Sequence, residues 1–432
     1  MPRRLLPFSV VLVAAACSGG LAHAAADVPT INCDGFFNRG PDLAPIGPGP
    51  LELAKIYCQR IRPGNNTAAS ISPDGRSIAY LEGSSSYVAE RKVLHVAPLH
   101  MRDSWTDCQL NMGPLWHFSS GYRTVPAFGW ASNSSSVWTA TRETVGPEGL
   151  SKSGLQPALT VEDKSLQLLP PLRNEAGPLD GLLWVGGDGL AIAHFGARGQ
   201  SYQPQRHDRT PTFAIVDAKR GLVLETLRFD ATEVLKRSSY YITNLNGAAV
   251  TKLQNGKVRV LLSGYGQWAL WTQGEPPRVV ADPYPDERHV SKFTMSLDGS
   301  RVLVSRVACV GGFESIGDGR HGVTTCKPVE SAIASLHDVE TGQEIWSIRA
   351  TVSRPSYAPT PAISDDGNYA LVELPTTVPR PLIALISMSD GKIVQTLPSP
   401  GGGGLYSMGF LHGGRTVWTH GQGVTAFYDV RG

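Results

Sequence analysis

Short apolar runs that alternate with polar residues recur along this chain, and most are separated by Asp-Gly or something close to it. Ala68-Ala69-Ser70-Ile71-Ser72 leads into Pro73-Asp74-Gly75, and Ser77-Ile78-Ala79-Tyr80-Leu81 follows. Period-two alternation on both sides of a residue pair that tolerates positive φ predicts two antiparallel strands and a hairpin turn. The arrangement returns at Ser296-Leu297-Asp298-Gly299 and Ser364-Asp365-Asp366-Gly367. Weaker copies stand at Ser132-Asn133-Ser134, Gly187-Asp188-Gly189, Gln254-Asn255-Gly256 and His412-Gly413-Gly414. Their spacing, about 40 to 70 residues, is that of a repeat array with variable loops.

A second turn follows each first pair of strands. It is seen at Asp217-Ala218-Lys219-Arg220-Gly221, Asp338-Val339-Glu340-Thr341-Gly342 and Ser389-Asp390-Gly391-Lys392, each between strand-like runs. Four short antiparallel strands make one propeller blade. The blades are expected at 68–107, 126–171, 180–229, 247–282, 293–351, 360–398 and 405–430. The last has room for three strands only, and the run Leu51 to Arg62 would supply the fourth, leaving no exposed sheet edge. The predicted fold is therefore all-β, a seven-bladed β-propeller over 51–432 whose last blade is closed by an N-terminal strand. Helix is expected only as a turn or two after the capping-box sequence Asp230-Ala231-Thr232-Glu233.

The N-terminus reads as a targeting segment. Arg3 and Arg4 precede an apolar run to Ala16, and Ala22-His23-Ala24 has the small-x-small form of a cleavage site. Residues 1–24 are read as a signal peptide and 25–50 as a Pro/Gly-rich arm, which places the mature chain in the periplasm or outside the cell. Cys17 offers an alternative, because it resembles the lipid-accepting cysteine of bacterial lipoproteins and would give an anchor there. No later apolar run approaches the roughly 20 residues of a membrane-spanning helix. The net charge of +2 is no more than Arg3 and Arg4 contribute, so the mature body is near neutral and lacks the basic excess of a nucleic-acid surface. In an oxidising compartment cysteines tend to pair. Cys309 and Cys326 fall in one insertion and are the expected disulfide, while one of Cys33, Cys58 and Cys108 is left over. His321 lies between Cys309 and Cys326, but two thiols and one imidazole make a thin metal set, so no metal and no cofactor are expected.

The excess length is expected between second and third strands and between blades, all on one face of the disc. Function tends to sit on long loops held by a rigid scaffold. Those loops hold Arg142, Arg198, Tyr202, His207, Arg209, His289, Arg320, His321, Arg354 and Arg380. A guanidinium grips a carboxylate or phosphate through two parallel bonds, so the expected partner is an envelope protein or a small anionic ligand. Trp130, Trp138, Trp184, Trp268, Trp271 and Trp346 fall on strands and are read as core. No Gly-x-Ser-x-Gly elbow, His-Glu-x-x-His, phosphate loop or haem-attachment sequence occurs.

The Ser-Pro-Asp-Gly turn with Ile78-Ala79-Tyr80 after it resembles the TolB-like and WD-like propeller repeats of exported bacterial proteins. Asp338 to Gly342 is similar to the turn of YVTN-type repeats, found also in the heavy chain of periplasmic amine dehydrogenases. The resemblance covers about 68–430 and implies fold, with no catalytic residue carried over. The function expected from all this is a binding module working through its long-loop face. The alternative is a periplasmic enzyme or enzyme subunit: a lyase or hydrolase at the channel mouth, or an amine-dehydrogenase-like heavy chain.

Overall fold

The computed structural model describes residues 43–58, 69–83, 92–99, 116–120, 128–144, 151–160, 166–167, 179–186, 188–195, 212–217, 219–228, 247–264, 267–281, 290–307, 313–316, 323–326, 329–352, 360–374, 382–400, 407–421 and 424–431. Among them every regular element is a strand. The chain enters with β1 (Leu51–Cys58). The first sheet is β2 (Ala69–Ile71), β3 (Ser77–Gly83), β4 (Lys92–Pro98) and β5 (Trp116–Ser120), and the second is β6 (Phe128–Trp130), β7 (Ser136–Thr144), β8 (Ser151–Thr160) and β9 (Leu166–Gln167). The third holds β10 (Leu179–Val185), β11 (Leu190–Phe195), β12 (Thr212–Asp217) and β13 (Leu222–Arg228), and the fourth β14 (Gly247–Lys252), β15 (Val258–Gly264), β16 (Gln267–Thr272) and β17 (Arg278–Ala281). In the fifth, β18 (Val290–Met295) and β19 (Arg301–Val307) are separated in sequence from β22 (Val329–Asp338) and β23 (Glu344–Val352) by a hairpin of β20 (Phe313–Ile316) and β21 (Val323–Cys326). The sixth comprises β24 (Ala362–Ile363), β25 (Tyr369–Leu374), β26 (Leu382–Ser387) and β27 (Ile393–Pro398). The last is β28 (Ser407–Leu411), β29 (Thr416–Gly421) and β30 (Val424–Val430), and β1 completes it by pairing antiparallel with β30 from Leu51 opposite Val430 to Cys58 opposite Val424.

One turn geometry joins the first two strands of all seven four-stranded sheets. The amides of Gly75, Ser134, Gly189, Gly256, Gly299, Gly367 and Gly414 each donate to the carbonyl three residues back, at 2.8–3.1 Å. All seven residues have positive φ, which is why glycine holds the place in six of them. In the three strongest copies the serine hydroxyl donates to the aspartate: Ser72 to Asp74 at 2.6 Å, Ser296 to Asp298 at 2.5 Å and Ser364 to Asp366 at 2.6 Å. The same serine oxygen accepts from the first amide of the second strand, at 2.9 Å from Ser77, 3.0 Å from Arg301 and 2.9 Å from Tyr369. The aspartate therefore works as a side-chain acceptor and only the glycine needs the left-handed conformation.

The sheets follow one another in a propeller-like array, the first strand of each touching the first strand of the next. Apolar clusters fill the seams. Ile215, Val260 and Trp271 join sheets three and four; Trp268, Phe293 and Val302 join four and five; Leu336, Trp346 and Val372 join five and six; Leu371, Leu385 and Tyr428 join six and seven. Sheet seven in turn packs on sheet one through Leu411, Trp418, Ile71 and Tyr80, and the Ala69 amide donates to the Ser407 hydroxyl at 2.9 Å. The tryptophans among the described residues lie on strands, and several tie sheets together: Trp130 to the Ser70 carbonyl at 3.0 Å, Trp271 to Glu225 at 2.9 Å and Trp346 to the Met388 carbonyl at 3.0 Å.

Residues 43–50 of the N-terminal arm are docked on sheet six. The Ile46 amide donates to the Thr396 carbonyl at 2.7 Å, Leu43 is buried, and Gln395 accepts from the Leu51 amide at 2.8 Å while donating to the Gly47 carbonyl at 3.0 Å. Two expected boundaries need correction. The first sheet does not end near 107, since its fourth strand is Trp116–Ser120. The long loop expected around Arg142 is mostly strand, with only 145–150 between β7 and β8. The segment after Asp230 lies outside the described residues.

Candidate functional site

The two faces of the array are built differently. The face of the first-to-second turns is stitched by short polar links between neighbouring sheets: Asp74 amide to Ser134 at 3.0 Å, Lys252 to Asp188, Arg259 to the Gly299 carbonyl at 3.0 Å, and Arg259 and Arg278 both to Glu340. The opposite face receives the ends of the second strands and the starts of the third. The β20–β21 hairpin is inserted there, and the ends of β11 and β12 flank residues 196–211.

Of the residues singled out from sequence, Arg142 is in β7 opposite Ser153, a strand position rather than the expected loop. The loop expectation failed because β7 and β8 continue their ladder to Thr144 and Ser151. Arg198, Tyr202, His207, Arg209, His289, Arg320, His321, Arg354 and Arg380 lie outside the described residues. Cys326 is the last residue of β21, opposite Phe313, and Cys309 lies outside the described residues.

What the strands themselves carry to this face was missed. Arg306, Glu373 and His420 are each the last residue but one of the second strand in sheets five, six and seven, and all three are buried. Glu82, Glu143 and His194 hold the same place in sheets one to three. The available signal was an ionisable residue closing an apolar run, as in Ala370-Leu371-Val372-Glu373. Arg306 donates to the Ser335 hydroxyl at 2.9 Å, and His337 meets the same hydroxyl at 2.7 Å and the Gly342 carbonyl at 3.2 Å. Burial, followed by the nearby Arg306 charge, pushes His337 down to about 4. His420, bonded to Thr425 at 2.8 Å, is pushed down to about 4 by burial. Both rings are thus neutral at pH 7 and structural in their bonding.

Glu373 differs. It is 6 % exposed, its Oε2 has no hydrogen-bond partner, and burial alone raises its carboxyl to about 8. Cross-strand alternation puts it on the side of Leu371, facing Met408, Val417 and Thr419 of sheet seven, where the Thr419 hydroxyl is also unbonded. Lys292 on β18 is half-buried, and desolvation lowers its pKa. Among the described residues no group of three or more His, Cys, Asp or Glu is placed to hold a metal, and no helix is long and apolar enough to cross a membrane.

No family model matches the chain, and no curated protein matches its sequence. Solved structures do match. One is a chain of a crystal structure of the mitotic checkpoint complex, at 11 % identity over 100 % of both chains with a TM-score of 0.48. A second is TolB from Acinetobacter baumannii, at 14 % identity over 77 % of this chain and 66 % of that one, TM-score 0.38. U3-55K is a third, at 8 % identity over 87 % and 98 %, TM-score 0.46.

Proposed function

We propose that this chain is an exported, seven-bladed β-propeller that binds a protein partner or a small anionic ligand on its long-loop face, with residues 1–24 as leader and 25–50 as an arm. The observation that carries this reading is the contrast between the faces. One is locked by seven equivalent turns and polar links between sheets. The other receives the inserted hairpin and carries Arg306 and Glu373, ionisable groups buried near strand ends, and function is a common reason for keeping such groups. Seven four-stranded sheets, the last packed on the first and completed by β1, make a firm base from which the loops of this face can bind. The loop arginines Arg198, Arg209, Arg320 and Arg354 supply the charge for an anionic group in this reading.

The test is a mild crosslinking capture from the native envelope, with intact-mass analysis of the bait and of everything retained. A stoichiometric partner lost on alanine substitution of those four arginines supports the proposal. A folded quadruple variant that keeps every interaction of the parent refutes it.

A further inference from the structure

The seam between sheets five and six carries a pair of groups that neither sheet satisfies. Lys292 is opposite Ser305 on β19, and Ser305 is opposite Ala334 on β22. Ala334 is opposite Ile348 on β23, so these residues form one row across the sheet. Partners directly opposite one another project to the same side. Ala334 and Ile348 pack with Ala370 and Val372, so the row faces sheet six. Thr294, two residues along β18 from Lys292, donates to the Pro361 carbonyl of sheet six, which fixes the same direction independently. Ser331 is opposite Ala350, which packs near Leu374, and therefore also faces sheet six, nearer the long-loop face.

Ser331 is 3 % exposed and its hydroxyl has no hydrogen-bond partner. Among the described residues no carboxylate pairs with Lys292, and desolvation lowers its pKa. The surrounding wall is apolar, with Leu303 and Ile348 on one side and Val372 and Leu374 on the other. A desolvated ammonium and a buried hydroxyl are both costly when left unbonded. One β-strand separates β18 from β22, about 10 Å sideways, and Ser331 lies three residues along β22 from the Lys292 row, roughly a further 7–10 Å, a diagonal that an extended lysine side chain and a compact ligand together can span. One occupant resolves both deficits, an oxygen-bearing anion that takes the charge from Lys292 and accepts from Ser331.

We propose that the long-loop end of the seam between sheets five and six is a binding site for a compact oxyanion, a carboxylate or phosphate group, held by Lys292 with hydrogen bonds from Ser331 and Ser305. The inference rests on the reading of the long-loop face as the binding face and specifies a pocket for the anionic group. It adds residues that belong to the scaffold strands instead of the loops.

The experiment is calorimetric titration of the full mature chain with inorganic phosphate and, separately, with acetate at matched ionic strength, together with Lys292→Met and Ser331→Ala. Saturable binding of either probe, weakened at least about tenfold by Lys292→Met and less by Ser331→Ala, is the expected result. Lys292→Met should melt no lower than the parent without ligand, because replacing a half-buried, partly desolvated charge by an apolar side chain is neutral or stabilising. Absence of saturable binding to the parent overturns the proposal. So does unchanged binding by the folded Lys292→Met protein, or a clear loss of its stability, which would mean that the ammonium is already partnered. Partner capture by the arginine variants is read separately, so a failure of this pocket and a failure of the binding face are told apart.

Discussion

Glu373 offers a direct measure of what an unpartnered carboxyl inside the array costs. Its pKa rises from an ordinary value near 4.5 to about 8 because burial disfavours the charged form, and the facing side chains, Met408, Val417 and Thr419, carry no charge that would offset it. With the folded value above the unfolded one, its contribution is fully present below pH 4.5 and is lost as pH rises through 8. Over the interval from 4.5 to 7, at about 1.4 kcal/mol per pH unit, the folded state loses roughly 3 kcal/mol relative to the unfolded chain, and somewhat more by pH 8. Glu373→Met has similar length and no titration, so its stability advantage over the parent should grow from near zero at pH 5 to roughly 3–5 kcal/mol at pH 8.5. Urea unfolding followed by tryptophan fluorescence, run at half-unit steps between pH 5 and 9, reads the difference. Glu373→Gln should remove the same slope while keeping the shape. Parallel pH profiles for parent and Glu373→Met, or a variant less stable than the parent at pH 8.5, would refute the reasoning.

Other perturbations follow from the same contacts. Gln395→Ala strands the buried Leu51 amide and releases the Gly47 carbonyl, so it should cost about 2–4 kcal/mol and make residues 43–50 cleavable by protease in limited digestion. Ser364→Ala removes the bonds to Asp366 and Tyr369 and should cost about 1–2 kcal/mol in denaturant unfolding. Burial opposes ionisation of Asp366, but hydrogen bonds from Ser364 and Asn368 outweigh it and hold the carboxyl below its usual range. That stability is present above pH 3.8 and is lost on further acidification, a loss that the Ser364→Ala protein should show less strongly. His337 and His420, both pushed down to about 4, contribute stability that is present above 6.5 and falls away toward pH 4, roughly 3 kcal/mol each. The unfolding free energy should therefore peak near pH 6.5, and His420→Gln should flatten the acid limb; a flat profile between pH 4 and 6.5 would contradict the histidine assignments, and an optimum at pH 8 or above would contradict that of Glu373.

The strand framework was legible because each sheet repeats one local signal. Positive φ at a fixed place in the turn forces Gly75, Gly299 and Gly367, and the paired Ser and Asp make the turn visible in sequence. β5 was missed because 99–115 separates it from the strand that it pairs with, and strand pairing across a long connection leaves no local trace. The site was read less well for a different reason. Both faces of these sheets are buried, so alternation no longer distinguishes core from solvent, and Lys292, Ser331 and Glu373 look like ordinary strand residues until their partners are known. The loop arginines were read by composition alone, whereas the strand ends needed the register.

The pairing of β1 with β30 makes the two ends of the chain depend on each other. Leu51 and the Gln395 side chain that holds it are 344 residues apart in sequence. During synthesis or translocation from the N-terminus, β1 emerges first and its partner strand last. Until then β1 and the growing array each present an unpaired edge, open to pairing with another chain. Six sheets already stacked would bring the ends into reach and make the last pairing almost local. A chain truncated before Val424 would lack that partner altogether. Premature termination near the C-terminus should then yield an aggregation-prone product despite the loss of only a few residues.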